Sequence, residues 1–127
     1  MLRLCFETLT DIDSISLRVE IRSADDTPQA VYILKDFCRG TGGETVTADI
    51  LLDLSSLSEA SYRTIYTFYQ YNEMDAQAHL ECAGGLDLEV ERNEAEHNPP
   101  WEHRNWGYIR LYGISLAHIS AVRKDTV

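Results

Sequence analysis

A chain of 127 residues with 44% apolar and 25% charged positions fits a single domain, residues 1–127, that buries about two-thirds of its unfolded surface without staples. Its formal net charge of −10 repels nucleic acid and anionic membranes, which speaks against direct binding to either. No apolar run approaches the roughly 18 residues of a membrane span, and the N-terminus lacks the apolar stretch of a secretory leader, so a cytoplasmic protein is expected.

Leu2, Leu4 and Phe6 alternate with Arg3, Cys5 and Glu7, which predicts a strand over 2–7. Ile15, Leu17, Val19 and Ile21 alternate with Ser16, Arg18, Glu20 and Arg22 and predict a second, half-buried strand. A turn over Thr8–Ser14 would pair the two. Thr27-Pro28 then has the form of a helix start, and Ala30, Val31, Ile33, Leu34, Phe37 and Cys38 follow at helical offsets up to Gly40. A helix is expected there, with a strand over 30–34 as the rival. Gly40-Thr-Gly-Gly43 reads as a loop, and Val46 to Leu54 as another alternating strand.

Residues 57–71 are read as a helix, because Ser56 and Glu59 have capping-box spacing and Tyr62, Ile65, Tyr66 and Tyr69 share a helical face. The richness in Tyr, Thr and Phe favours a strand instead. Ala76–Cys82 and Leu86–Glu91 read as a hairpin around Gly84-Gly85. Its inner face would hold Ala78, Leu80, Cys82, Leu86, Leu88 and Val90. Its outer face would hold Gln77, His79, Glu81, Asp87, Glu89 and Glu91. A long irregular stretch over 92–107 is followed by a strand at Tyr108–Tyr112, a bulge at Gly113, and strand or short helix over Ile114–Val122. Together these predict an α+β fold, an antiparallel sheet of about five to six strands with one or two helices packed on one face.

Little in the chain carries chemistry. His79-Leu-Glu81 resembles part of a zinc-deaminase signature but lacks the paired cysteines. The Gly40–Gly43 loop lacks the Lys and Ser/Thr of a phosphate-binding loop. His97 and His103, with Glu94, Glu96 and Glu102, match no standard metal spacing, and His118 reads as a structural histidine in an apolar segment. Cys5, Cys38 and Cys82 are an odd set in apolar segments and read as small buried hydrophobes. No catalytic residue, metal or cofactor is assigned, and no enzyme is expected.

The charge, by contrast, is regional. Between Gly40 and Glu91 ten carboxylates face one base, Arg63, leaving −9 of the chain's −10. A regional field of this sign suits a basic protein partner, either a toxin or a nucleic-acid-binding protein. The expected function is therefore a small acidic inhibitor that neutralises such a partner. An immunity protein for a bacterial toxin comes first, a phage inhibitor of a defence complex second. A structural or adaptor domain is the rival from another class, and a small-molecule site or enzyme under the 92–107 loop the third. The candidate partner-binding residues are Glu81, Asp87, Glu89 and Glu91 on the acidic face. Trp101 and Trp106 in the long loop join them, as aromatic anchors or as caps on the core.

Overall fold

The computed structural model describes residues 2–71, 77–91 and 100–121. Six strands carry the fold: β1 (Leu2–Thr8), β2 (Ile12–Ser23), β3 (Pro28–Gly40), β4 (Glu44–Ile50), β5 (Ala60–Tyr71) and β6 (Gln77–Val90). All pairings are antiparallel: a four-stranded sheet in the order β3-β2-β5-β6 and a two-stranded sheet of β1 and β4. The helical content among the described residues is one four-residue turn, α1 (His103–Trp106). The architecture is thus all-β. The expected α+β fold, with helices packed on the sheet, is corrected on both counts: residues 28–40 and 60–71 are strands.

The two sheets meet through apolar side chains of alternating phase. Leu17, Val19 and Ile21 of β2 are at most 1% exposed and form the core with Leu57, Tyr62 and Tyr66. Leu2 and Leu4 of β1 and Ile50 of β4 pack on that cluster from the other layer. At one end Phe6 lies 4.8 Å from Phe68 and 6.3 Å from Phe37, ring centre to ring centre. Full burial of each large apolar side chain is worth about 1.5–3 kcal/mol. β2 sits between β3 and β5, so both of its edges are paired.

Each correction has a local cause. Residues 2–7 form the expected strand, but it pairs with β4 in the second layer, not with β2. The helical pattern over 28–39 comes from an irregularity in β3. Leu17 opposes Leu34 and Ile15 opposes Cys38, so two steps on β2 face four on β3. Within this insertion Phe37 and Cys38 are partly buried in succession, so strict alternation is broken and the apolar residues fall at helical offsets. Asp36 takes a positive φ of 49° there, its N–H donates to Ser16 Oγ at 3.0 Å, and its carboxylate accepts from Ser14. The apparent helix start is the β2–β3 turn. Asp26 has φ 65°, Ser23 N–H donates to Thr27 O at 2.9 Å, and the Asp25 carboxylate accepts from both Ser23 Oγ and Thr27 N–H.

β6 is one continuous strand along β5, so the hairpin expected at Gly84-Gly85 is absent. It bulges twice: Arg63 opposes Asp87 while Ile65 opposes Gly84, and Phe68 opposes Glu81 while Tyr69 opposes His79. Gly85 sits in the first bulge for a packing reason. A Cβ there would fall 1.7 Å from Tyr66 Cε2 and 2.5 Å from Thr64 Oγ1. The glycine lets a buried tyrosine ring lie flat against the backbone, which is a common use of glycine within a strand. Residues 108–112 contribute a single bridge, Leu57 to Ile109, and residues 110–121 have no regular structure.

Candidate functional site

Of the ten carboxylates in the acidic region, Glu73 and Asp75 lie outside the described residues. Two others are neutralised within the fold. Asp49 takes the Arg3 guanidinium at 2.8 Å on the exposed face of the β1–β4 sheet. Glu59 takes Arg110 at 3.2 Å, with both side chains under one-fifth exposed. Glu81, Asp87, Glu89 and Glu91 are all exposed, and none forms an ion pair among the described residues. Neither Lys nor Arg occurs from Gln77 to Glu91. Among the described residues β6 is also an edge strand, paired on one side with β5. Glu44 and Asp53, outside β6, are also exposed and form no ion pair among the described residues, so the border at β6 carries the largest share, four of the six unpaired acids.

The three carboxylates within β6, Glu81, Asp87 and Glu89, do not share a face. Residues opposed in an antiparallel pair project to the same side. Asp87 opposes the exposed Arg63 and Glu89 opposes the exposed Ser61, so both point away from the second layer. Glu81 opposes Phe68, whose ring meets Phe6 of that layer. The bulge at Gly85 adds one residue between Glu81 and Asp87 and inverts the phase. Leu86, expected inside, is 62% exposed for the same reason. The single base of the region, Arg63, lies 3.8 Å from Asp26.

Glu81 stands at an open cleft of about 230 Å³ at the end of the two layers, lined mainly by Phe6, Ile15, Phe68 and Leu80. An apolar floor beside a carboxylate suits the methylene stem and charged head of a lysine or arginine. Nothing in the sequence marked this cleft, because it exists only through the pairing of β1 with β4 in the second layer.

The tryptophans lie on a small polar knot. Trp101 N–H donates to Glu59 Oε1 at 3.0 Å, its indole N–H donates to Gly107 O at 2.6 Å, and the Arg110 guanidinium stacks 4.8 Å from its ring centre. Trp106 meets Trp101 edge to face at 5.3 Å and is 46% exposed. Trp101 thus fastens the segment to the body, whereas Trp106 is the accessible ring. Ser56 and Glu59, expected as a helix cap, anchor this segment instead, since Ser56 O accepts Arg110 N–H at 2.6 Å. Among the described residues no family of three or more His, Cys, Asp or Glu groups could hold a metal. Glu94, Glu96 and His97 lie outside them. His103 Nε2 lies 3.2 Å from Ser58 Oγ, but that hydroxyl is fully buried and also bonds Tyr62, so the pair ties segments together. His118, read as a structural histidine, is exposed, and so is Cys5, expected to be buried. Burial raises the pKa of the half-buried Cys38 thiol.

Comparison with protein-family models, curated proteins and solved structures finds no match. No helix among the described residues is long and apolar enough to cross a membrane.

Proposed function

We propose that this protein acts by binding: it is a small acidic inhibitor that occupies the basic surface of another protein. Within that class the reading is an immunity protein that neutralises a bacterial toxin, a partner whose own substrate site is basic. The observation that supports it is the edge strand β6, which carries Glu81, Asp87 and Glu89 exposed, continues into Glu91, and has no basic residue to offset them. Carboxylates directly exposed on both sides of an edge reach a cationic groove without first breaking an internal ion pair. Their field extends about 8 Å in physiological salt and accelerates encounter more than it strengthens the bound state. The cleft beside Glu81 gives one cationic side chain of the partner a place to anchor.

The test has two stages. The full chain is used as bait at low salt and the captured protein is identified, with the product of an adjacent toxin-like reading frame as the first candidate. Association and dissociation are then measured for the wild type and for a variant carrying Glu81→Lys, Asp87→Lys, Glu89→Lys and Glu91→Lys. The association rate is expected to fall roughly tenfold or more, and to fall with added salt in the wild type. Dissociation should change much less. An association rate indifferent to both salt and charge reversal would leave the acidity as a solvated surface and remove the basis of the reading.

A further inference from the structure

A second surface concerns the chain's own copies. From Leu111 to Ala121 every residue is exposed and none belongs to a regular element. Yet the segment is apolar: Leu111 is 79% exposed, Ile114 90%, Leu116 74% and Ile119 74%. It contains no Asp, Glu, Lys, Arg or Pro. Tyr112, Ile114 and Leu116 alternate, as strand residues do. An uncharged segment of this kind has the composition of a strand and no sheet to join.

The larger sheet has a vacant edge that suits it. β3 pairs on one side with β2, and among the described residues nothing pairs on the other. Its outward face exposes Val31 at 52% and Ile33 at 56%, two residues apart like Ile114 and Leu116. The opposite border, β6, offers exposed Ala83, Gly84 and Gly85 instead, amid its carboxylates.

Charge selects both the edge and the occupant. Two copies of a chain at −10 repel wherever their acids meet. Residues 28–40 carry Lys35 and Arg39 against Asp36, and residues 111–121 carry no acid. These are the places where one copy approaches another at least electrostatic cost. The segment also leaves a fixed point, because Ile109 bridges Leu57 and Arg110 is held by Ser56 and Glu59.

We infer that residues 111–121 form a donated strand that adds to the free edge of β3 in a second copy, reciprocally, giving a two-fold symmetric dimer. In it Ile114 and Leu116 lie beside Val31 and Ile33, and the sheet of each copy gains a fifth strand. β6 stays open, so this surface is independent of the one proposed for the basic partner.

Sedimentation of the full chain tests it. The wild type should have twice the single-chain mass of 14.5 kDa. Ile114→Asp with Leu116→Asp, which alters side chains outside the core, should return the mass to that of one chain. So should Val31→Asp with Ile33→Asp, with circular dichroism confirming that each remains folded. Mixing the two defective proteins should restore a weaker dimer, since one donor and one acceptor are then intact. A wild type that stays monomeric at the highest attainable concentration overturns the inference. So does a dimer that survives either pair of substitutions.

Discussion

Replacing Gly85 with alanine adds one methyl group at the worst place on β6. Its Cβ would stand 1.7 Å from Tyr66 Cε2, 2.4 Å from Tyr66 Cδ2 and 2.5 Å from Thr64 Oγ1. Carbon atoms rest about 3.5–4.0 Å apart, so the ring would have to retreat by roughly 2 Å. Tyr66 is 7% exposed and belongs to the core cluster, and the Thr64 hydroxyl donates to Leu86 O at 2.6 Å. Neither neighbour can move aside without loss. Overpacking of this kind costs about 3 kcal/mol, which for a chain of this size lowers the melting temperature by roughly 10 °C. A Cβ on Gly84 would meet nothing within 4 Å, and neither glycine has a positive φ. Gly84→Ala should therefore change stability by about 0.5 kcal/mol or less. Urea unfolding of both variants, and of Gly85→Ala on a Tyr66→Ala background, measures the difference and its origin. In a two-residue type I′ turn both positions need positive φ, and both substitutions would cost stability. Equal costs at Gly84 and Gly85, or a Gly85 penalty undiminished when the Tyr66 ring is gone, would refute the continuous strand and its packing.

Two further outcomes follow from other parts of the molecule. Trp101→Ala should lower unfolding stability by about 2 kcal/mol, because it removes a half-buried ring, while Trp106→Ala should cost less than about 1 kcal/mol. Chemical denaturation separates them, and equal losses would mean that Trp106 is also fastened to the fold. Acid should weaken the protein through two turn carboxylates. Hydrogen bonds from Ser23 and then Thr27 hold the Asp25 carboxyl below its usual range, and those from Ser55 do the same for Asp53. A carboxylate depressed by folding contributes its full stability above the unfolded pKa of about 3.9, and that contribution is lost as pH falls through the lower folded value. Asp25→Asn with Asp53→Asn should flatten the fall in stability below about pH 4, and an unchanged acid limb would show that these bonds do not favour folding.

What could be read in advance depended on how regular each strand is. Residues 2–7 and 15–22 keep strict alternation and lie in strands where expected, whereas the strand expected over Val46 to Leu54 is met only as far as Ile50. Regularity fails where the backbone inserts residues. The irregularity around Asp36 makes Leu34, Phe37 and Cys38 fall at helical offsets. The bulge at Gly85 moves Glu81 to the opposite side of the sheet from Asp87 and Glu89. β5 hid for another reason: Tyr62, Thr64, Tyr66, Thr67 and Tyr69 are all buried, so both faces are covered over much of its length and alternation is lost. Its content of Tyr and Thr, which suits strands, was the better guide than the Ser56–Glu59 spacing. The exposure of Glu81, Asp87, Glu89 and Glu91 was legible from their charge alone. The division of Glu81 from Asp87 and Glu89 between two faces was not, because a bulge leaves no mark in hydrophobic pattern when it is made of Gly85 and an exposed Leu86.

The pairing of β1 with β4 has a bearing on how the chain assembles. β1 and β4 bracket β2 and β3 in the sequence, as one pair of parentheses encloses another. Once the β2–β3 hairpin closes through its short turn at Ser23–Thr27, its open end brings Thr8 next to Thr41, Gly43 and Glu44. There Gly43 N–H donates to Thr8 O at 2.7 Å, and Thr8 Oγ1 donates to Thr41 O at 2.5 Å. The outer pair then meets across a gap already shortened, rather than across some thirty-five free residues, which reduces the entropy lost in joining its ends. Assembly from the inside outward is the least expensive route, and β5 is recruited to an edge of β2 that the first hairpin has already set straight.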